Sequence, residues 1–141
     1  MILQVGVKAL LRNTEGRVLL LKRSSRYGVV EGSWDIPGGR IDVGTSLMEN
    51  LSREIHEETG LTAVSHPKLI AAQDLLPKEN MPNHVVRLTY VAEVSGEPVL
   101  DGTEHTEYRW VSFDELATLP NLDAYLAKLV SEGVITADSW N

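Results

Sequence analysis

The chain of 141 residues carries a formal net charge of −7, and 43% of its residues are hydrophobic, which suits one domain over residues 1–141. The acidic balance argues against an extended nucleic acid or an acidic membrane as a partner, because both attract clustered Lys and Arg. The chain lacks cysteine, an apolar run of the roughly 18–20 residues that a membrane span needs, and a signal-peptide pattern, so we expect a cytoplasmic protein without disulfides.

The first part of the chain is predicted to form a β-hairpin followed by a loop. Residues 2–13 and 17–23 are rich in Val, Leu and Ile, and the turn signal "NTEG" lies between them. The glycine-rich segment 24–39 follows, and it contains a short extended piece at 34–36. A strand pair that leads into a glycine-rich loop is therefore expected at this end.

The rest of the chain predicts one long helix, three strands and two shorter helices. The helix covers Ser46 to Thr59, with Ser46 or Thr45 as its N-cap and Gly60 as its C-terminal stop. Strands are expected at 68–76, 84–94 and 107–113, and helices at 113–119 and 122–133. This order predicts an α+β fold with helices packed on a mixed sheet. The apolar positions of the last helix could pack on that sheet or form a homodimer surface.

The segment Arg53–Leu61, "REIHEETGL", carries three carboxylates close to one another on the predicted long helix. At 100° per residue, Glu58 falls roughly 20° from Leu51, which stands at the centre of the apolar stripe, and Glu54 falls roughly 60° from it. Glu57 lies about 120° away. Glu58 therefore aligns with the buried side of the helix, and Glu54 borders it.

Two explanations remain open for this acidic turn. Runs of glutamate are ordinarily solvated faces. A carboxylate that faces the core, however, is costly unless it is paired or bound to a metal ion, and a helix C-terminus is already negative. Arg53 can reach Glu57 or Glu49, each four residues away, but one arginine cannot neutralise three glutamates. A divalent cation bound by oxygen atoms would do so, and Mg²⁺ is the default choice.

The residues before the helix add to the case for a binding site. Gly38 and Gly39 are adjacent and follow a proline. Glycine lets the backbone approach a ligand closely, although a plain tight turn has the same signature. A backbone carbonyl here could complete a metal shell that the helix carboxylates begin.

The segment from residue 39 to residue 61 resembles the Nudix box of MutT-like hydrolases, G-x5-E-x7-R-E-U-x-E-E-x-G-U, where U is aliphatic. Every specified position but one agrees: Gly39, Arg53, Glu54, Ile55, Glu57, Glu58, Gly60 and Leu61. The segments "SWDIPGG" and "EYRWVSFDEL" are also similar to the family. The resemblance therefore extends over most of the chain.

The resemblance implies a Nudix fold, an α/β/α sandwich around a mixed central β-sheet. It also implies Mg²⁺- or Mn²⁺-dependent hydrolysis of a nucleoside diphosphate linked to another group X, with water attacking phosphorus. The short chain suits a small nucleotide or nucleotide-sugar substrate, with a nucleoside triphosphate preferred. Pro77 is placed much as in ADP-ribose-cleaving members, so an ADP-ribose-type pyrophosphatase is an alternative. A catalytically weak nucleotide-binding or regulatory module is another alternative.

The same resemblance assigns roles to individual residues of the box. Glu57 and Glu58 match metal ligands, and Gly38 matches a ligand that uses its backbone carbonyl. Glu54 matches a residue that is the general base in some members and a metal ligand in others. Arg53 matches the arginine that orients the glutamates. The proton of the attacking water would pass to Glu54 or Glu57.

Other expected site residues lie outside the helix. A further acidic ligand is expected before the last strand, where Glu104 is preferred to Glu107. Gly39 allows close approach of the substrate, and Arg23 and Arg26 could hold phosphate oxygens. His105 adjoins Glu104 and is a weaker candidate for proton transfer or phosphate contact.

One position departs from the box. Thr45 stands where the first box glutamate is expected, and it cannot supply a charge. Glu49 could pair with Arg53 in its place, or Asp42 could supply the missing carboxylate. The departure bears on the number of metal ions and on the rate.

Overall fold

The computed structural model describes residues 1–24 and 32–141, so the predicted phosphate contact Arg26 lies outside the described residues. Within them, one sheet contains the strands β1 Leu3–Arg12, β2 Val18–Arg23, β3 Trp34–Asp35, β4 Gly38–Arg40, β5 Lys68–Leu75, β6 His84–Glu93 and β7 His105–Val111. The helices are α1 Leu47–Thr59, α2 Phe113–Thr118 and α3 Ala124–Ser131. The predicted mixed sheet with packed helices is confirmed.

Strand β1 lies at the centre of the sheet and explains its mixed character. It pairs in parallel with β6 along its whole length. Its antiparallel pairing with β2 is confined to the predicted turn, where Arg12 lies opposite Val18. Nearer its start, β1 pairs instead with β4, so that Gly38 lies opposite Lys8. The predicted hairpin is therefore confirmed at its turn, and the two strands then separate.

Two hydrophobic clusters cover the two faces of this sheet. Along β2, Leu19 and Leu21 belong to the cluster that also contains Leu51 and Ile55 of α1. Alternate residues such as Leu20 belong to the other cluster, which contains buried side chains of α2 and α3. Side chains alternate between the faces of a strand, so apolar residues at successive positions fill both layers. The arrangement is the predicted α/β/α sandwich, and α3 packs on the sheet as expected.

Helix α1 begins and ends close to the predicted residues. The Ser46 side chain accepts a hydrogen bond from the backbone N–H of Glu49, so Ser46 rather than Thr45 is the N-cap. Gly60 adopts a left-handed conformation with φ 69°, and its N–H donates to the His56 carbonyl. These caps fix the last turn of α1, in which the box glutamates lie.

Two sequence-based boundaries were wrong. Residues 38–40 form strand β4, although the glycines were expected in a loop. Glycine lacks a side chain, and Gly38 therefore tolerates the close backbone of β1. Strand β7 begins at His105, two residues before the predicted Glu107, because His105 still pairs with Arg23 of β2 across an irregularity. Within the described ranges, no helix is long and apolar enough to cross a membrane.

Candidate active site

A pocket of ≈ 260 Å³ opens where β1 separates from β2. One part of its wall is acidic or titratable and consists of Glu58, Glu104 and His105. Another part is basic and consists of Lys8, Arg23, Arg40 and Arg87. The apolar part includes Leu75, Met81 and Val85. A ligand here would meet groups of both charges and an aliphatic surface.

Glu58 forms the buried floor of the acidic part, as the helical phase predicted. Its side chain is 5% exposed. Its Oε2 accepts a hydrogen bond of 2.7 Å from the backbone N–H of Gly38. Burial raises the pKa of Glu58 to about 9, and Glu54 and Glu104 add to that rise, whereas Lys8 and the Gly38 amide oppose it. Without a cation this carboxyl group is therefore neutral at pH 7.

Glu54 borders the pocket beside Gly39. An ideal Cβ built on Gly39 would lie 2.8 Å from Glu54 Oε1, so the missing side chain leaves the space that this carboxylate occupies. Burial raises the pKa of Glu54, and the hydrogen bond from Arg53 opposes that rise. Glu54 is thus held at the edge of the pocket by Arg53 on one side and by glycine backbone on the other.

Arg53 pairs with three carboxylates. One of them compensates for the carboxylate that is missing at Thr45. Its guanidinium lies 2.5 Å from Asp42, 3.2 Å from Glu54 and 3.8 Å from Glu57. Asp42 is therefore the additional partner in the structure, while the proposed pairing with Glu49 is not among the ion pairs of the described residues. Glu57 lies on the outer side, with a side chain that is 61% exposed.

Glu104 and Glu107 occupy different environments. Glu104 lines the pocket next to Glu58, as preferred from the sequence. Glu107 lies within β7, is 57% exposed and pairs with Lys22 at 2.9 Å. Glu104 precedes β7, which begins at His105, whereas Glu107 lies within the strand, so the two acidic residues face different surroundings although they are close in sequence. His105 is buried beside Glu58, and burial lowers the pKa of its imidazole.

Asp35 anchors the basic part of the pocket. Its carboxylate is 1% exposed and lies 3.0 Å from Lys8, 3.3 Å from Arg23 and 3.9 Å from Arg87. Burial alone would raise the pKa of Asp35, but the charges of Lys8 and Arg87 outweigh it and hold the pKa below its ordinary value. Arg87 is also held by Asp123 at 2.7 Å. Lys8, Arg23 and Arg87 are therefore held by the buried Asp35, and Arg87 also by the partly buried Asp123.

We expect Asp35→Asn to lower the free energy of unfolding by about 3–5 kcal/mol at pH 7, because it removes the buried charge shared by three cations. The folded pKa of Asp35 is depressed, so its contribution is present above the ordinary pKa of about 4 and is lost as the pH falls through the folded value. Urea denaturation of both proteins between pH 3 and pH 8 would measure this difference.

Asp74→Asn is the matched control for that substitution. Asp74 pairs with His84 at 2.7 Å, but its side chain is 65% exposed. Exposed pairs contribute about 0.5 kcal/mol, so the control is expected to change stability little. Equal stability of Asp35→Asn and the wild type at pH 7 would contradict the role assigned to Asp35.

The acidic part of the pocket fits a divalent cation. One oxygen of Glu58, one of Glu104 and one ring nitrogen of His105 all lie within 4.8 Å of one another. The same burial that makes an isolated carboxylate costly at Glu58 would strengthen its attraction to a cation. The predicted role of the Gly38 carbonyl stays a prediction, since the contact that the structure shows from Gly38 is its N–H bond to Glu58.

A NUDIX domain profile matches residues 2–132. The chain belongs to the Nudix family. The family resemblance recognised in the sequence is thereby confirmed, and so is the Nudix fold.

Solved Nudix structures and curated relatives agree with this assignment. The crystal structure of the MutT protein from Methanosarcina mazei superposes with a TM-score of 0.81 at 32% identity, over 93% of this chain and 92% of that one. A Bacillus subtilis protein described as a candidate 8-oxo-dGTP diphosphatase is 36% identical over 107 residues, 76% of this chain and 65% of its own length. The ADP-ribose pyrophosphatase of Methanocaldococcus jannaschii is 27% identical over 118 residues, 84% of this chain and 66% of that protein. The chain thus spans just under two thirds of the length of these two curated relatives.

Sequence reasoning about this Nudix chain missed several residues of the pocket. Lys8 and Arg87 lie in strands that were recognised only for their apolar pattern, and Asp35 was passed over in the loop. A charged residue within an otherwise apolar strand is a usable signal, because burying a charge requires a partner. The partners themselves lie far apart in the sequence and could not be paired without the fold.

Proposed function

We propose that this protein hydrolyses a nucleoside diphosphate linked to another group X, in a reaction that depends on Mg²⁺ or Mn²⁺ and in which water attacks phosphorus. The observation that carries the proposal is the composition of one pocket, in which the buried Glu58 and the partly buried Glu104 share the wall with cations that Asp35 holds. A diphosphate needs both, because cations must neutralise its oxygens while a carboxylate accepts a proton from water.

The cation would be held by carboxylates of α1 and of the loop before β7. Glu58 and Glu104 line the pocket, and Glu57 borders the group closely enough for its charge to raise the pKa of Glu54. The Gly38 carbonyl is a further proposed ligand. When bound, a divalent cation neutralises the non-bridging oxygens and lowers the pKa of bound water.

Glu54 is the better placed general base. It lies against Gly39 at the pocket edge, whereas Glu57 is mostly exposed on the outer face. Arg53 holds Glu54 through a bond of 3.2 Å and so acts as the orienting residue. A base held in this way would take the proton from water, and such help contributes roughly 10²–10⁴-fold to the rate.

The basic part of the pocket would bind the phosphates. Arg23 is proposed for this role and lines the pocket with its guanidinium near Asp35. Lys8 and Arg87 share that anchor and add positive charge. Arg26 remains part of the proposal from the sequence. Side chains fixed by a buried carboxylate lose little freedom when they bind an anion, which favours affinity.

A nucleoside triphosphate is the preferred substrate, followed by a nucleotide sugar. The relative from Bacillus subtilis, described as a candidate 8-oxo-dGTP diphosphatase, supports the first choice. The ADP-ribose pyrophosphatase of Methanocaldococcus jannaschii supports an ADP-ribose-type substrate as the alternative. The loop that carries Pro77 also carries Met81, which lines the pocket, so this loop can contribute to the choice of X.

The test is a panel of nucleoside triphosphates, nucleotide sugars and ADP-ribose incubated with Mg²⁺ or Mn²⁺ in ¹⁸O-labelled water. We expect ¹⁸O in one phosphoryl product, identified by mass spectrometry, and no product after chelation of the metal. The labelled product shows which phosphorus water attacks. Binding of nucleotides without any turnover would overturn the hydrolase proposal in favour of a binding or regulatory module.

Gly39→Ala tests the position of Glu54 without a charge change. The new methyl group would meet the flexible end of the Glu54 side chain, so the fold can adjust while the carboxylate is displaced. We expect turnover to fall roughly 10–100-fold, because small displacements of a reacting group are costly. The free energy of unfolding should change by about 1 kcal/mol or less. Steady-state kinetics and urea denaturation would measure both, and unchanged turnover would contradict this placement.

A further inference from the structure

His105 carries an unexplained polar atom. Its side chain is 5% exposed, and within the described part of the chain its Nδ1 is buried without a hydrogen-bond partner. Buried polar atoms are nearly always satisfied by hydrogen bonds, by water or by an ion. An orphan nitrogen beside two carboxylates therefore indicates a missing partner at this point.

The surrounding geometry indicates what that partner is. Nδ1 of His105 lies 3.8 Å from Oε1 of Glu58, too far for a direct hydrogen bond. The other Glu58 oxygen already accepts the Gly38 N–H, so Oε1 is the oxygen left for a ligand. Two donor atoms that share one ion at about 2.1 Å each lie roughly 3–4 Å apart, and the observed separation falls in that range.

The loop before β7 holds this nitrogen in place together with Glu104. The Asp101 carboxylate accepts hydrogen bonds from the backbone N–H groups of Glu104 at 3.1 Å and His105 at 3.4 Å. The Ser24 N–H donates to the Glu104 carbonyl at 2.9 Å. The backbone of both residues is therefore fixed by hydrogen bonds, which favours a preformed site.

We propose that Nδ1 of His105 is a ligand of a divalent cation that Glu58 and Glu104 also bind, so that one nitrogen donor joins the oxygen donors of the proposed site. This inference rests on the proposed function, since it refines its metal site. An imidazole ligand is better accepted by Mn²⁺ than by Mg²⁺, because Mg²⁺ prefers a shell of oxygen atoms. The nitrogen therefore shifts the metal preference of this chain toward Mn²⁺ and later transition metals.

Pulsed EPR of the full chain loaded with Mn²⁺ tests the assignment without any assay of activity. We expect a ¹⁴N coupling typical of coordinated imidazole, which changes to a ¹⁵N coupling when only histidine is labelled with ¹⁵N. His105→Gln should abolish the coupling and lower the Mn²⁺ to Mg²⁺ affinity ratio roughly 10-fold. His66→Gln, at an exposed histidine outside the pocket, should leave both unchanged.

The outcomes separate this inference from the proposed function. Bound Mn²⁺ without histidine coupling would overturn the His105 ligand and leave the carboxylate metal site standing, with His105 then a structural neighbour of Glu58. Absence of any bound Mn²⁺ would overturn both. The isotope comparison on the wild-type chain tests for a histidine ligand even where His105→Gln fails to fold, and replacing each of the other three histidines by glutamine should leave the coupling unchanged.

Discussion

Glu58→Gln is expected to lower turnover by roughly 10²–10³-fold while making the metal-free protein more stable. The loss of activity follows because the substitution removes the buried charge proposed to hold the cation. An amide oxygen can still accept the Gly38 N–H, so the local hydrogen bond of 2.7 Å need not be lost. The loss of turnover and the gain in stability thus both follow from replacing one buried carboxyl group.

The gain in stability follows from the pKa of Glu58. Burial raises that pKa to about 9 in the folded, metal-free protein, far above the ordinary value of 4.5. A carboxyl group with a raised pKa contributes fully below the ordinary value and loses its contribution as the pH rises through the folded pKa. The wild type should therefore lose stability between about pH 4.5 and pH 9, whereas Glu58→Gln should not. At pH 8 the variant should be more stable by several kcal/mol, since each pH unit above the ordinary pKa contributes about 1.4 kcal/mol.

Urea denaturation in the presence of a chelator, repeated with Mg²⁺ or Mn²⁺, measures this reversal. With metal, the wild type should gain stability through ligand binding and the variant should not. Glu49→Gln is the control, because it makes the same chemical change at an exposed position on α1 and should alter both quantities little. A metal-free Glu58→Gln protein less stable than the wild type at pH 8 would contradict the account.

Gly38→Ala is expected to lower the free energy of unfolding by at least about 3 kcal/mol. An ideal Cβ at this position would lie 2.0 Å from the Val7 carbonyl oxygen and 2.8 Å from Lys8 Cα, and the backbone φ is +153°. Those neighbours are backbone of the central strand, which cannot move aside as a side chain can. The variant must therefore separate β4 from β1 or leave the native state.

The control is Gly44→Ala, which has a positive φ of +86° but nothing within 4 Å of its ideal Cβ. Gly44→Ala therefore measures the cost of a positive φ alone, about 1 kcal/mol, without the steric clash expected in Gly38→Ala. Denaturation midpoints and near-ultraviolet circular dichroism would compare the variants. Similar midpoints for Gly38→Ala and Gly44→Ala would show that β4 does not lie as close to β1 as the structure has it.

The contrast between Gly38 and Gly39 illustrates where local sequence stops being informative. Both glycines were recognised as a place of close approach, but their neighbours differ. Gly38 meets the backbone of β1, whereas Gly39 meets the Glu54 carboxylate. Only the pairing of β4 with β1 shows that Gly38 is needed for strand packing, whereas Gly39 leaves space for the Glu54 side chain.

The residues of α1 also show which features of the site could be predicted from the sequence and which required the structure. The helical period placed Glu58 on the buried side of α1, and the structure confirms that position. Glu57, which the same count put about 120° from Leu51, proves to be mostly exposed. The sequence left open whether Glu49 pairs with Arg53 or Asp42 supplies the carboxylate missing at Thr45. The structure selects Asp42 because the buried Asn50 holds the preceding loop, accepting from the Asp42 N–H at 3.0 Å.

The sequence by itself determined the family, the fold class and the burial of Glu58 on α1, because those signals depend on spacing within a short contiguous segment and on periods of the helix and strand. Only the tertiary structure decided that Asp35 anchors Lys8 and Arg87, and that His105 faces Glu58. These contacts join segments that are distant along the chain, and their geometry depends on which strands pair. Local propensity carries no information about that pairing. The basic part of the pocket and the unpaired Nδ1 of His105 could therefore be identified only from the folded structure.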